Sequence, residues 1–119
     1  MKRLAEILRK FPTMIATTSA DGSPNLTPAA DVVLLNDRTI LIAHNEMRRT
    51  VENIRNNARG GGIMLLVLDN NFEGFRIRGT AKYYTSGKYF DLVNQYFKNA
   101  KTTPLGAIVV DIQKIEEMK

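Results

Sequence analysis

The sequence predicts a mainly β domain in which a small, mostly antiparallel sheet closes into a barrel with short flanking helices. First, most segments are short and rich in apolar and β-branched residues, as strands are. Second, tight-turn signals at Asp21-Gly22, Asn36-Asp37 and Asn70-Asn71 separate many of them. Third, helical segments do not alternate regularly with strands, as a parallel sheet would require. Closure is expected because it removes exposed strand edges.

About six strands account for the extended segments. They are expected over Thr13 to Ser19, Asn25 to Leu35, Thr39 to Ala43, Ile63 to Asp69, Phe72 to Tyr84 and around Ile108 to Ile112. In the fifth strand, apolar residues alternate with Arg76 and Arg78, which places the two arginines on one face. Because Gly79 interrupts this strand, it indicates either a bend or the close approach of another segment.

Apolar residues at helical spacing predict three short helices. The first stripe is Leu4, Ile7, Leu8 and Phe11, ended by Pro12; the second is Met47, Val51, Ile54 and Ala58; the third is Tyr89, Leu92, Val93, Tyr96 and Phe97. Asn45 and Ser86 are the expected N-caps of the second and third helices. Gly60 is the expected stop of the second, and the run Gly60-Gly61-Gly62 is the one candidate hinge, better explained as a helix stop followed by a loop.

Composition excludes several kinds of chemistry. The 119 residues form one domain, 1–119, and the 44% hydrophobic and 24% charged content favours a folded protein. The absence of cysteine excludes disulfides, thiolate metal sites and cysteine nucleophiles, and a single histidine, His44, excludes multi-histidine metal sites. The amino terminus has no apolar signal core and no segment is long enough to span a membrane, so a cytoplasmic protein is expected. If the protein is an enzyme, a cofactor is expected to supply the reactive atoms.

The net charge of +5 comes from 17 Lys and Arg against 12 Asp and Glu. One interpretation is a small nucleic-acid-binding barrel that uses the arginines at 48, 49, 55, 59, 76 and 78. These arginines are scattered, however, and exposed aromatic residues do not alternate with them as a base-stacking surface requires. This interpretation is therefore the less favoured one.

A second interpretation of the charge is a phosphate site where a strand leads into the second helix. The first turn of a helix presents unpaired N–H groups and the positive end of the dipole. Arg48, Arg49 and the Thr50 hydroxyl would add donors there, whereas Glu46 and Glu52 add negative charge nearby. The competing interpretation is a solvated helix face.

The segment Pro24 to Ala30 is the other informative region. Because proline cannot donate to a ladder, Pro28 indicates an edge strand or a bulge. The free backbone groups beside Pro28, together with the small side chains of Ala29 and Ala30, suit contact with a flat ring. The alternative is an ordinary edge proline that blocks aggregation.

Taken in order, these segments resemble the flavin-binding split-barrel family, which includes pyridoxamine 5'-phosphate oxidase and small FMN-binding proteins. The resemblance covers residues from about 4 to 117. It rests on the ordered set Ile15-Ala16-Thr17, Asp21-Gly22 with Pro24, Thr27-Pro28, Arg49-Thr50, Asn53-Ile54 and Arg76-Ile77-Arg78-Gly79-Thr80-Ala81.

The resemblance implies a six-stranded split barrel that forms a homodimer with FMN at the interface. The family's phosphate contact would fall on Arg49 and Thr50, with Arg48 and Asn53 nearby. The remaining implied contacts are Ile42, Ala43 and His44 beside the ribityl chain and ring, Thr27, Pro28, Ala29 and Ala30 along the isoalloxazine, and a region near Leu105 of the second subunit. Relatives of this fold bind a deazaflavin or haem instead, and His44 is expected to be a strand-end residue rather than a haem ligand.

By this resemblance the protein is expected to be a flavin-dependent oxidoreductase or electron carrier in which hydride passes through the flavin N5, with NADH or NADPH as a possible donor. The alternatives are a non-enzymatic flavin-binding module and a deazaflavin-dependent reductase. Pyridoxamine phosphate oxidases are longer and have a further C-terminal segment that helps to hold substrate. Because this sequence stops at Lys119, vitamin B6 synthesis is not expected. The apolar run Ile63 to Leu68 favours a homodimer.

Overall fold

A computed structural model describes residues 1–56, 62–98 and 103–119. The described chain is mainly β, as predicted, with strands and helices in the order α1 (Lys2–Lys10), β1 (Thr13–Thr18), β2 (Pro24–Ala29), β3 (Val32–Asn36), β4 (Thr39–His44), α2 (Arg48–Arg55), β5 (Gly62–Leu68), β6 (Gly74–Tyr84), α3 (Lys88–Tyr96) and β7 (Gly106–Met118). None of the helices in these ranges is long and apolar enough to cross a membrane.

The sheet has seven strands in the order β2-β1-β5-β6-β7-β4-β3, and every pair is antiparallel. β2 and β3 are the two edges, yet only Ala30 and Asp31 separate them in the chain. The sheet must therefore curl until its edges approach each other. Because no ladder joins β2 to β3 among the described residues, the barrel remains split. The predicted fold class is confirmed.

The predicted number of strands, six, was one too low for the sheet of seven strands. The single strand predicted over Asn25 to Leu35 is in fact β2 and β3, because β2 pairs with β1 whereas β3 pairs with β4 at the other edge. Pro28 lies in β2, an edge strand, where the missing N–H donor costs no ladder bond on the open side. The edge position predicted from Pro28 is confirmed.

Two apolar clusters stabilise the sheet. The larger fills the inside of the barrel with residues of all seven strands, including the fully buried Ile15, Leu65 and Ile77. The apolar stripes of α1 and α2 cover it. The smaller lies on the outer face beneath α3 and contains Leu41, Ala43, Val93 and Ala107. Burial of apolar surface in the larger cluster is the main stabilising term that holds α2, and with it the candidate site, against the sheet.

Gly79 of β6 shows the close approach that its position in the sequence predicted. A Cβ there would overlap the backbone carbonyl oxygen of Asp111 in β7. The ladder also shifts register at this point: Arg78 pairs with Lys114 and Gly79 with Ile112, so Gln113 is an extra residue on β7. Such a bulge bends a strand, and here it helps the long β6–β7 pair to curl.

Several predicted boundaries were wrong. α2 begins after Met47 rather than Asn45, because the Asn45 amide donates to the Asp31 carboxylate at 2.9 Å instead of capping the helix. α3 begins after Gly87, which has a φ of 89°, rather than after Ser86. Phe72 lies in the β5–β6 turn with a φ of 61° instead of beginning the strand. Ala58, the predicted stop at Gly60 and the first two glycines of the candidate hinge lie outside the described residues.

Candidate functional site

Two side-chain hydrogen bonds attach α2 to the β1–β2 hairpin. Thr17 and Asn25 face each other directly in the ladder. The Asn25 amide donates to the Thr50 hydroxyl at 3.1 Å, and the Asn53 amide donates to the Thr17 hydroxyl at 3.0 Å. We call these four residues the hairpin clamp. Each such bond contributes about 1 kcal/mol to stability. Because the two bonds hold α2 at two positions, Thr50 and Asn53, they also fix its orientation on the hairpin.

Two of the predicted site residues, Thr50 and Asn53, use their side chains for hydrogen bonds within the protein. Thr50 is 0% exposed and Asn53 is 6% exposed. Their side chains bind the hairpin, so they position the helix for any ligand rather than presenting polar atoms to solvent. The sequence reasoning missed Thr17 and Asn25. Thr17 had a detectable signal, since it is a polar residue at an inward position that follows Thr13 and Ile15 in the alternation of β1.

The start of α2 is open to an anion. Its N-cap, Met47, makes no side-chain hydrogen bond, and its first turn contains no acidic residue. The first N–H with an intrahelical acceptor is that of Val51, which donates to the Met47 carbonyl at 3.0 Å. The N–H groups before it and the positive end of the helix dipole are therefore directed towards whatever lies at the helix start.

Arg48 and Arg49 are the exposed cations of this turn, with side chains 90% and 65% exposed. Their Nε atoms lie 3.7 Å and 4.0 Å from the two carboxylate oxygens of Glu52. Contacts of that length between exposed groups are weak and leave the terminal guanidinium nitrogens available. The arrangement suits a phosphate or another small oxyanion.

A groove of about 430 Å³ separates α2 from the β1–β2 turn. Arg49, Glu52, Asn53 and Asn56 line its helix side. On the turn side, hydrogen bonds from the Ser19 hydroxyl and from the Ser23 backbone N–H (3.0 Å) lower the pKa of Asp21 to about 2. The Asp21 carboxylate is thus ionised and bound to its own turn, and the groove contains charges of both signs.

The other predicted site residues differ in accessibility. Ile42 and Ala43 are fully buried, in the larger and the smaller cluster respectively. His44 is 8% exposed and Ala29 is 3% exposed, whereas Thr27 is half-buried. The predicted residues exposed to solvent are Pro28 and Ala30 at the β2 edge and Arg48 and Arg49 at the helix start. In the single chain, ligand contacts by side chains are therefore available chiefly at these four positions.

The side chain of His44 contacts Tyr83 across an intervening strand. His44 ends β4, Tyr83 lies in β6, and Gly106 of β7 lies between them. The His44 Nδ1 and the Tyr83 hydroxyl oxygen are 2.6 Å apart. A Cβ on Gly106 would overlap the tyrosine hydroxyl, so glycine is required for this contact. Sequence reasoning named His44 but missed Tyr83 and Gly106, although a glycine at the start of an apolar strand was a usable signal.

Burial affects both rings of this pair. Burial lowers the pKa of His44 and raises that of Tyr83, an effect that the nearby positive charge of Arg55 opposes. The Arg55 guanidinium lies 5.9 Å from the centre of the Tyr83 ring. His44 is therefore neutral at pH 7, and its protonation is coupled to folding.

We expect folding stability to fall as the pH falls below about 6.5, the ordinary pKa of histidine. The pKa of His44 is lower in the folded chain than in the unfolded chain. Below about pH 6.5 the unfolded chain therefore binds a proton at His44 more readily than the folded chain does, and this favours unfolding. His44 is the only histidine in the sequence, so the substitution His44→Gln should flatten the profile of unfolding free energy between pH 5 and 7, where few other side chains titrate. Urea denaturation across this range measures the profile. An unchanged slope in the variant would contradict the assignment.

Two arginines outside the helix start form ion pairs with acidic residues of β7. Arg76 binds Glu116 at 3.1 Å, and hydrogen bonding from Arg76 is the main cause of the lowered pKa of Glu116. Arg3 binds Glu117 at 3.1 Å. Arg59, one of the arginines considered for nucleic-acid binding, lies outside the described residues. In the part of the chain that the structure describes, no group of three or more metal-ligating side chains comes together.

Comparison with known proteins gives the family. The family model described as pyridoxamine 5'-phosphate oxidase matches residues 1–119. The chain belongs to this family. The chain is 32% identical over 122 residues to the uncharacterised protein MJ0282 of Methanocaldococcus jannaschii. The match covers 99% of this chain and 80% of MJ0282.

Solved structures share the fold of this oxidase-family protein. HupZ of Group A Streptococcus superposes with a TM-score of 0.90 at 24% identity, covering 99% of this chain and 93% of HupZ. An FMN-binding protein of Syntrophomonas wolfei gives a TM-score of 0.80 at 22% identity, covering 99% and 85%. An F420 reductase gives a TM-score of 0.68 at 18% identity, covering 92% of each chain. At these identities the likeness establishes the fold.

Proposed function

We propose that this protein binds FMN and that the start of α2 anchors the flavin phosphate. The observation that supports this most directly is the helix start itself: it has no side-chain cap and no acidic residue in its first turn, and it presents Arg48 and Arg49 to solvent. A phosphate placed there would receive backbone N–H groups, guanidinium donors and the favourable end of the dipole together.

In this proposal the residues of the site have three roles. Arg48 and Arg49 bind the phosphate. Thr50 and Asn53 act through the hairpin clamp, which fixes the helix that presents the arginines. Pro28 and Ala30, exposed at the β2 edge, contact the flavin ring, with the half-buried Thr27 beside them. Ile42 and the buried Ala29 belong to the larger cluster beneath α2 and support the site, whereas Ala43 packs on the opposite face of the sheet beneath α3.

The proposed activity is that of a flavin-dependent oxidoreductase or electron carrier. When bound, a flavin supplies hydride and electron transfer through its own ring, while the protein provides binding, orientation and exclusion of water. A purely flavin-binding module is the alternative. Turnover with NADH or NADPH and an artificial acceptor distinguishes the two, because the module would bind flavin without turnover.

The proposal is tested by titrating FMN into the purified, flavin-free protein and following the flavin fluorescence and absorption. Saturable binding with one flavin per chain is the expected result. Riboflavin, which lacks the phosphate, should bind at least about tenfold more weakly, because charge-assisted hydrogen bonds to the phosphate are lost. Equal affinity for FMN and riboflavin would contradict the phosphate anchor.

A deazaflavin is the second candidate cofactor. The structural likeness to an F420 reductase motivates it, and a phosphorylated deazaflavin would present the same anion to Arg48 and Arg49. Binding of F420 in the same assay, together with no binding of FMN, would favour this alternative.

We further propose that the protein is a homodimer and that its outer apolar patch forms the interface. This patch consists of Met14, Ala16, Leu26, Met64 and Leu66. The ladder registers place these residues side by side on the outer face of β2, β1 and β5, and Leu26 is 66% exposed. A contiguous apolar surface of this kind favours burial against a second copy.

The substitution Leu26→Glu should convert the dimer to a monomer, because a charge would be buried at the interface without a partner. Light scattering with size-exclusion chromatography at micromolar concentration measures the change. The matched control is Phe72→Glu, since Phe72 is 79% exposed in the β5–β6 turn, outside the patch. A wild-type monomer, or equal effects of the two substitutions, would count against this interface.

A further inference from the structure

A second cavity, of about 300 Å³, lies beside α3 on the outer face of the sheet. β6 and β7 form its floor, and the start of α3 forms one wall. The side chains of β6 alternate, so those that line this cavity point away from the interior that α2 covers. The cavity is therefore separate from the α2 groove and does not depend on the proposed flavin site.

The ladder registers place two opposite charges in this cavity. Asp111 of β7 lies between Thr80 of β6 and Thr39 of β4. One row along the same face, Lys82 lies opposite Val109. Lys82 and Asp111 are therefore diagonal neighbours with the Val109 side chain at the floor, and diagonal pairs are about 7–8 Å apart. The ion pairs found among the described residues include neither of them.

Two tyrosines form the aromatic wall. Tyr84 ends β6 and Tyr89 lies in the first turn of α3, and their ring centres are 5.3 Å apart at an angle of 39°. The short connection that brings them together depends on Gly87, whose φ of 89° favours glycine. The ammonium of Lys88 lies 5.0 Å from the centre of the Tyr89 ring, an interaction that helps to fix this ring in place.

From this arrangement we infer that the cavity binds a small aromatic zwitterion, a molecule with a planar ring, an ammonium group and a carboxylate. The ring packs on Tyr84 and Tyr89, the carboxylate binds Lys82, and the ammonium binds Asp111. The charges of Lys82 and Asp111 sum to zero, so a zwitterion pairs both. A simple anion or cation pairs with only one of them, so it makes one charge-assisted hydrogen bond fewer and binds more weakly.

The test uses L-tryptophan as the probe and follows the backbone amide signals of the ¹⁵N-labelled protein by NMR. A ligand of this size is expected to bind with a Kd on the order of 1 mM. The expected result is saturable shifts confined to the cavity residues, including Thr80, Lys82 and Asp111. Tryptamine, which lacks the carboxylate, and indole-3-propionate, which lacks the ammonium, should each bind about tenfold more weakly, because each loses one charged hydrogen bond.

Substitutions at the exposed Lys82 and Asp111 show which of these side chains binds the carboxylate of the ligand and which binds its ammonium group. Lys82→Gln should weaken L-tryptophan and indole-3-propionate about tenfold and leave tryptamine unchanged, whereas Asp111→Asn should weaken L-tryptophan and tryptamine and leave indole-3-propionate unchanged. Lys10→Gln, at an exposed position in α1, is the control for net charge. Shifts centred on α2, no shifts at 10 mM probe, or variants that affect all three probes equally would overturn the inference.

Discussion

Replacing both arginines at the start of α2, as Arg48→Ala/Arg49→Ala, is expected to weaken FMN binding about 30-fold. A hydrogen bond to a charged group contributes about 1.5–3 kcal/mol when it is shielded from water. Because these side chains are 90% and 65% exposed, about 1 kcal/mol each is the appropriate value, and about 2 kcal/mol corresponds to that factor. Fluorescence titration at 0.05 M and 0.2 M salt measures the loss.

The control for this experiment is Arg9→Ala/Lys10→Ala, which removes the same charge from the last turn of α1. If the arginines contact the phosphate directly, the α2 variant loses far more affinity than the α1 variant, and riboflavin binding is unchanged in both. Equal losses in the two variants would indicate a long-range effect of net charge and would rule out the phosphate contact.

The second large effect is expected from Gly79→Ala, which should lower the free energy of unfolding by about 3 kcal/mol. The new methyl group would overlap the carbonyl oxygen of Asp111, and Val110 Cγ1 lies 3.1 Å from the same position. A backbone carbonyl inside a ladder cannot rotate away as a side chain can, so the β6–β7 pair must separate locally. Urea denaturation measures the loss, and a melting temperature about 12 °C lower is expected for a chain of this size.

Gly62→Ala is the matched control because it makes the same change in the neighbouring strand. Nothing lies within 4 Å of a Cβ at Gly62, so this variant should stay within about 0.5 kcal/mol of the wild type. A Gly79→Ala protein as stable as the Gly62→Ala protein would show that β6 and β7 are not held as closely as the structure indicates.

Local sequence signals were sufficient for most strands and helices. The alternation in β6, the Asp21-Gly22 turn and the stripe of Leu4, Ile7 and Leu8 depend on interactions between residues close in the chain. The extra strand was missed because nothing local distinguishes Asn25 to Leu35 as one strand from two. The break at Ala30-Asp31 follows from partners that are distant in sequence, β1 for one half and β4 for the other.

Of the groups at the start of α2, the sequence correctly predicted only the two exposed positive charges. Arg48 and Arg49 before an amphipathic stripe were evident from the sequence, and the structure places them at an exposed helix start. That Thr50 and Asn53 are buried was not evident from the sequence, because their burial depends on hydrogen bonds with Asn25 and Thr17 of the hairpin. Likewise, the contact of His44 with Tyr83 requires three strands to assemble over Gly106.

By itself, the sequence determined the class of this protein: a mainly β fold, a net positive charge, no cysteine, a single histidine, and an ordered set of segments typical of its family. The tertiary structure decided which polar groups remain available to a ligand. It used Thr50 and Asn53 to attach α2, and it left Arg48, Arg49, Lys82 and Asp111 exposed. The physical reason is that the cost of burying a polar group depends on its partners, and those partners meet only when the sheet has curled.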